Sequence, residues 1–231
     1  MQVLPQTKSL TCPCDHHRCR DSVNCICRTS VTASTTSGTI RALARRAKLF
    51  TDGNDDSDVF YKVVSGTVCT YKILNDGRRQ ITDFHSESEY FGLEMGIGQS
   101  LGHAVVDTKL SVFSRDRLKM PCPGDAEFRY QVTSDTIRRL ERAQRHFLLL
   151  GRMTAQERIA AFLLDMAERF SAKDHFHLPM SRSDIADFLG LTIETVSRTL
   201  THLSREGVIE LAKNGRSIRL LKKKALQHLA A

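Results

Sequence analysis

An acid, a hydroxyl and a guanidinium stand close together at Glu194, Ser197 and Arg198, and Thr201 follows three residues later. On a helix these positions are i, i+3, i+4 and i+7, so they share one face. Val196, Leu200 and Leu203 repeat at i, i+4 and i+7 and give the same helix an apolar, inward face. Arginine can donate two parallel hydrogen bonds to guanine O6 and N7. A carboxylate can accept from the cytosine amino group, and Ser or Thr can serve a base or a phosphate. The chemistry this face supports is the reading of base edges in a major groove.

A short helix must be held by a second one to do this. Ser181 with Asp184 three residues on can cap a helix start, and Ile185, Ala186 and Leu189 give that helix an apolar side. Gly190 can stop it with the positive φ a helix end needs, and Thr192 can cap the next. Two helices, a short turn with Gly and a polar second helix make a helix-turn-helix. Such shapes also arise as plain helical packing, but here the caps, the separated faces and the charge downstream agree. Val208–Leu211 and Ser217–Leu221 flank Lys213-Asn214-Gly215-Arg216, and Asn-Gly is a strong hairpin signal. Lys213, Arg216, Arg219, Lys222, Lys223 and Lys224 run without an acid, and placed on that hairpin they would form a phosphate-binding wing.

Upstream the texture differs. Val59–Val64, Val68–Leu74, Gln80–Phe84 and Ala104–Val106 are short β-rich runs, punctuated by Ser65-Gly66, Asn75-Asp76-Gly77 and a glycine-rich stretch over 91–102. This spacing predicts an antiparallel sandwich or small barrel. Ahead of it, Thr39–Lys48 (TIRALARRAK) reads as a short helix. From Asp125 the period turns helical, and Thr133, Ile137, Leu140, Gln144, Phe147 and Gly151 recur every three or four residues. That is a heptad-like seam suited to a dimer contact or, equally, to packing on the chain's own sheet. A second helix follows over Met153–Phe170, with Ile159, Phe162, Leu163 and Met166 on one face.

The bulk numbers agree with one large or two small domains: 231 residues, 41% hydrophobic, net charge +8. A basic balance favours a polyanionic partner. No apolar run is long enough to span a membrane, and MQVLPQTKSL is not built like a secretory signal, so the cytoplasm is expected. A reducing compartment argues against a disulfide framework for the seven cysteines.

The segment Ser183–Arg198 resembles the recognition motif of the cAMP receptor/FNR family of bacterial regulators. The E-x-x-S-R pattern of its FNR branch falls on Glu194, Ser197 and Arg198. Gly151–Phe170 resembles the family's post-dimer helix, and Phe91-Gly92-Leu93-Glu94 its β-roll, so the likeness runs over about 40–225 in the same order. The resemblance implies an α+β chain. By composition residues 1–38 are expected to be a flexible Cys-rich tail, and the resemblance makes 39–124 an antiparallel, jelly-roll-like β-roll of sensor type. Residues 125–153 form a dimerisation helix and 154–231 a winged helix-turn-helix. It implies a homodimer, joined through Ile137, Leu140, Gln144 and Phe147, on a palindromic TTGA-N6-TCAA-type site in double-stranded DNA, with RNA polymerase as a further partner if the protein activates. Glu194, Ser197 and Arg198 would touch bases. Ser181, Arg182, Thr192, Thr195, Thr201, Lys213 and Arg216 would make backbone or secondary contacts.

Departures narrow the subgroup. Where cyclic-nucleotide binders carry Arg-Ser or Arg-Thr, this chain has His103-Ala104, and an anionic phosphate would lose its counter-charge. Cys12, Cys14, Cys19, Cys25 and Cys27 contain no C-x2-C, unlike the iron–sulfur branch, although four thiolates can hold a cluster at other spacings, with Cys122 downstream, and His16 and His17 could join a zinc site. The cluster-free FixK group fits best, with no cofactor and no metal; an oxygen sensor with a [4Fe–4S] cluster is the alternative. A cupin-like metalloenzyme is the remote one. Its barrel would offer only His85 and His103, the lone H-x-H being His175 and His177 beyond it. No nucleophile with a nearby base is evident.

Overall fold

The computed structural model describes residues 38–50, 58–93, 101–119, 125–170, 174–212 and 215–230. Eight strands open the described chain: β1 (Thr39–Leu43), β2 (Lys48–Phe50), β3 (Val59–Ser65), β4 (Val68–Ile73), β5 (Arg79–His85), β6 (Tyr90–Phe91), β7 (Leu101–Ala104) and β8 (Thr108–Ser114). They form two four-stranded antiparallel sheets in the orders β1-β8-β3-β6 and β2-β7-β4-β5. Between the sheets lie Leu43, Tyr61, Val63, Phe91 and Leu110 from one and Leu49, Val68 and Ala104 from the other. Gly77, with φ of +82°, closes the β4–β5 hairpin, donating to the Leu74 carbonyl at 2.8 Å. This is where Asp-Gly places a turn.

Two expectations need correction. Thr39–Lys48 is not a helix. Its first half is β1, paired with β8 from Thr39 opposite Val112 to Leu43 opposite Thr108, and Ala44–Ala47 form a turn. The helix preference of Ala, Leu and Arg is worth only tenths of a kcal/mol per residue, about what one ladder hydrogen bond overrides. Nor does a strand continue over Ala104–Val106. β7 ends at Ala104, and the Val105 amide donates to the Thr67 carbonyl at 2.8 Å as the chain turns into β8.

A single-turn helix α1 (Asp116–Lys119) leads to α2 (Ala126–Arg152), whose 27 residues reach about 40 Å. Helix α3 (Ala155–Arg169) starts at a reciprocal cap between Thr154 and Glu157 and buries Ile159, Phe162, Leu163 and Met166, as their spacing predicts. Strand β9 (His175–His177), helices α4 (Arg182–Leu189) and α5 (Ile193–Arg205), the hairpin β10 (Ile209–Leu211) and β11 (Ser217–Leu220), and α6 (Lys223–Leu229) complete the chain. The three short strands pair as β10-β11-β9. One core runs through α3, α4, α5 and α6 and continues into Tyr71, Ile81 and Phe84 of the roll, so the two halves share buried apolar surface.

Candidate nucleic-acid interface

Ser181 caps α4. Its Oγ accepts from the Asp184 amide at 3.1 Å, and Asp184 Oδ2 accepts from the Ser181 amide at 3.0 Å. Burial opposes ionisation of Asp184, but the hydrogen bonds its carboxylate accepts from the Ser181 hydroxyl (2.7 Å) and amide, with the Arg79 guanidinium, outweigh it and hold its carboxyl below the usual carboxylate range. Gly190, at φ +62°, ends the helix. Thr192 starts α5, its Oγ1 accepting from the Thr195 amide at 3.2 Å. With Val196, Leu200 and Leu203 buried, Glu194, Ser197, Arg198 and Thr201 are all exposed. Among the described residues no ion pair or side-chain hydrogen bond engages Glu194 or Arg198. Their hydrogen-bonding groups face solvent at the end of a rigid, capped helix. Ile193, 45% exposed beside them, was not singled out from the sequence; an uncovered Ile in the first turn is the kind of group that packs on a thymine methyl.

Around α5 the other positions divide. Thr201 Oγ1 donates to the Ser197 carbonyl at 2.9 Å, and Thr195 Oγ1 lies 3.0 Å from Thr192 Oγ1. Arg182 donates from Nη2 to the Gly215 carbonyl at 2.7 Å, tying α4 to the hairpin, while its buried Nη1 has no hydrogen-bond partner among the described residues. Burial lowers its pKa from the usual guanidinium value. A hollow of about 140 Å³ lies there, lined by Ser181, Arg182, Gly215 and Arg216 among others. Leu178, Met180 and Ile185 line the rest of it, and the Ser181 hydroxyl donates to Asp184 Oδ2 at 2.7 Å. Lys213 lies outside the described residues.

The wing needs a correction. Lys223 and Lys224 are in α6 and Lys222 precedes it, past the hairpin; Lys222 Nζ donates to the Glu206 carbonyl at 3.3 Å, at the far end of α5. Arg219 is on the hairpin but pairs with Glu210 across it at 3.4 Å. Strand pairing of Ile209 with Leu220 ends the hairpin before the lysine run begins.

On α2, Thr133, Ile137, Leu140, Gln144, Phe147 and Gly151 are all exposed, Phe147 by 74%, while Phe128, Val132, Asp135 and Leu149 pack inward. Tyr130 and Leu148, 69% and 66% exposed, extend the apolar face beyond the heptad positions. The inward face carries charge as well. Arg142 lies 3.3 Å from Glu89 and 3.7 Å from Asp83, and Arg169 of α3 lies 2.9 Å from Glu89. Arg169 also donates to the Phe84 carbonyl. This buried knot ties the roll to α2 and α3.

In the roll, His103 is half-buried. Its Nδ1 is 3.3 Å from Cys69 Sγ and its ring stands edge-on to Tyr71 at 5.5 Å. Burial pushes its pKa below the ordinary imidazole value. His85, fully buried, stacks on Phe91 at 4.6 Å. His175 and His177 sit on β9 in the wing sheet, away from both. Among the described residues no three His, Cys, Asp or Glu side chains could together hold a metal ion. The five N-terminal cysteines and Cys122 lie outside the described residues.

A helix-turn-helix with a free polar face, a hairpin beside it and a β-roll ahead of a long helix defines a DNA-binding regulator of effector-domain architecture. Residues 157–229 match the Crp-like helix-turn-helix domain, and residues 40–120 match the cyclic nucleotide-binding domain. The nitrogen fixation regulation protein FixK of Rhizobium meliloti (strain 1021) is 42% identical over 176 residues, covering 76% of this chain and 80% of that protein. FixK of Azorhizobium caulinodans is 43% identical over 198 residues, 83% of this chain and 79% of its own. The solved structure of FixK2 from Bradyrhizobium japonicum superposes with a TM-score of 0.75 at 38% identity, covering 84% of this chain and 97% of that one. The chain belongs to the CRP/FNR family of transcription regulators, in its FixK group. These are regulators and not enzymes.

Proposed function

We propose that this regulator binds, as a homodimer, a palindromic TTGA-N6-TCAA-type site in double-stranded DNA and activates transcription through contact with RNA polymerase in the cytoplasm. Arg198 donates to guanine, Glu194 accepts from the cytosine of the complementary strand, and Ser197 meets a thymine or phosphate. Ser181, Arg182, Thr192, Thr195, Thr201, Lys213 and Arg216 hold the backbone or make secondary contacts. The division into a tail (1–38), roll (39–124), dimerisation helix (125–153) and reading domain (154–231) follows from this reading. So does dimerisation along the exposed face of α2, which sets two recognition helices about one DNA turn apart. No helix among the described residues is long and apolar enough to cross a membrane.

The reading includes no cyclic nucleotide and no cluster. His103, held neutral by burial and pressed between Cys69 and Tyr71, and Ala104 beside it offer a cyclic phosphate no positive charge. The observation that carries the proposal is the exposed pair Glu194 and Arg198 on a capped helix, with no ion pair or side-chain hydrogen bond among the described residues. Affinity measurements on a TTGA-N6-TCAA duplex test it. Arg198→Ala should cost about 1–3 kcal/mol per half-site, and Glu194→Ala should relax discrimination at one base pair. Wild-type affinity and preference in both variants would remove α5 from the interface.

A further inference from the structure

Strand β5 of the roll reaches directly onto α4 of the reading domain. The Arg79 guanidinium donates from Nε to Asp187 Oδ2 at 2.8 Å and from Nη2 to Asp184 Oδ1 at 2.7 Å; Nη2 also lies 2.6 Å from Asp187 Oδ2. Gln80 donates from Nε2 to the Phe188 carbonyl at 3.2 Å, and the Phe84 ring packs 5.2 Å from that of Phe188. Tyr71 lies under the guanidinium, with the ring centroid 5.5 Å from its carbon. The side chains of Arg79, Asp184 and Asp187 are 28%, 13% and 28% exposed. An exposed ion pair contributes little, but a planar guanidinium held by two half-buried carboxylates on one helix fixes direction as well as distance. Asp184 already serves the cap at Ser181, so the clamp grips the capped first turn of α4.

Helix α4 carries α5 through the tight turn at Gly190, so the orientation of one sets that of the other. In the clamped arrangement Glu194, Ser197 and Arg198 are open to solvent. A reading domain released from the roll would sample further orientations, and apparent affinity would fall with the fraction still competent.

We infer that Arg79 is a positioning residue for DNA reading: by bridging the roll to Asp184 and Asp187 it keeps the recognition helix oriented for the groove without an effector. This rests on the role of α5 proposed above. The bridge joins residues 105 and 108 positions apart, and Arg79, Asp184 and Asp187 are not themselves among the DNA contacts of that reading.

The test uses the full chain and fluorescence anisotropy on the palindromic duplex, with Arg79→Gln, Asp187→Asn and the double variant. Asp187→Asn leaves the Ser181–Asp184 cap intact and decides the matter should Arg79→Gln not fold. Each single substitution is expected to weaken binding roughly tenfold. The double variant should be no weaker than the poorer single, because both break one bridge. Base preference and salt slope should stay as in the wild type, and the exchange of Arg79→Asp with Asp187→Arg should restore most of the affinity. Wild-type affinity in a folded single variant, additive losses in the double, or an altered base preference or salt slope would each overturn the inference. Arg198→Ala in the same assay separates the two claims: if it binds as the wild type does, the role of α5 fails whatever Arg79 does.

Discussion

Cys69 is fully buried in the roll, with its sulfur 3.3 Å from His103 Nδ1. Burial, with the charge of Asp184 adding to it, pushes the thiol up to about 12. A raised thiol pKa means the reactive thiolate is absent, so Cys69 should resist iodoacetamide in native protein at pH about 8 and react once the chain is unfolded. Peptide mass spectrometry reads this directly, and native alkylation at Cys69 would show that the roll opens. At this scale the reading face was legible beforehand. Glu194, Ser197 and Arg198 share a face because the helical period puts them there. Arg79 gave no such signal, since its partners Asp184 and Asp187 are brought to it only by the packing of the roll on α4. Ile193 was passed over because a helix-start Ile reads as core until its exposure is seen.

Helices α4 and α5 depend on Gly190, which sits in the left-handed region at φ +62°. A Cβ there would meet only Leu150 and Arg158 side-chain atoms at ordinary contact distances, so Gly190→Ala should cost mainly backbone strain, about 1–2 kcal/mol in a denaturant titration. An unchanged midpoint would mean that the turn can relax. On α2 the seam meets a different test. Phe147→Glu, at a position 74% exposed in one copy, should yield monomers by sedimentation with little loss of fold. A dimer that survives it would place the interface elsewhere. The β4–β5 and β10–β11 hairpins were legible because Asp-Gly and Asn-Gly in the sequence between them are diagnostic, and α3 because its apolar stripe is regular. β1 was not, because its strand pairing is with β8, about seventy residues away in sequence, while the run Thr39–Lys48 around it is rich in Ala and Arg. The lysine run was misplaced for a related reason: charge alone does not mark where β11 stops and α6 starts.

Across the whole molecule the roll, α2 and α3 meet at the buried charges of Asp83, Glu89, Arg142 and Arg169, with His85 enclosed beside them. Burial, reinforced by Arg139, Arg169 and Arg142 and opposed by Asp83, pushes His85 well below the ordinary imidazole value of 6.5. Burial works against Asp83 ionising, yet the guanidinium charges of Arg169, Arg142 and Arg139 around it hold its carboxyl lower than usual. It stays charged over the window in which an unfolded imidazole titrates. The native state therefore needs His85 neutral. The stability tied to it is complete above 6.5 and is lost as pH falls below that value towards the lower folded one. Denaturant midpoints should decline over this range in the wild type and less steeply in His85→Gln; parallel slopes would acquit His85. The central claim remains that one short helix reads bases. Random-site selection on duplex DNA with wild type and Arg198→Ala side by side tests it most directly. The account predicts a two-fold symmetric site for the wild type, with the G·C pair of each half-site lost from the variant's selected pool. The same consensus from both proteins, or a wild-type pool with no symmetric site, would contradict it.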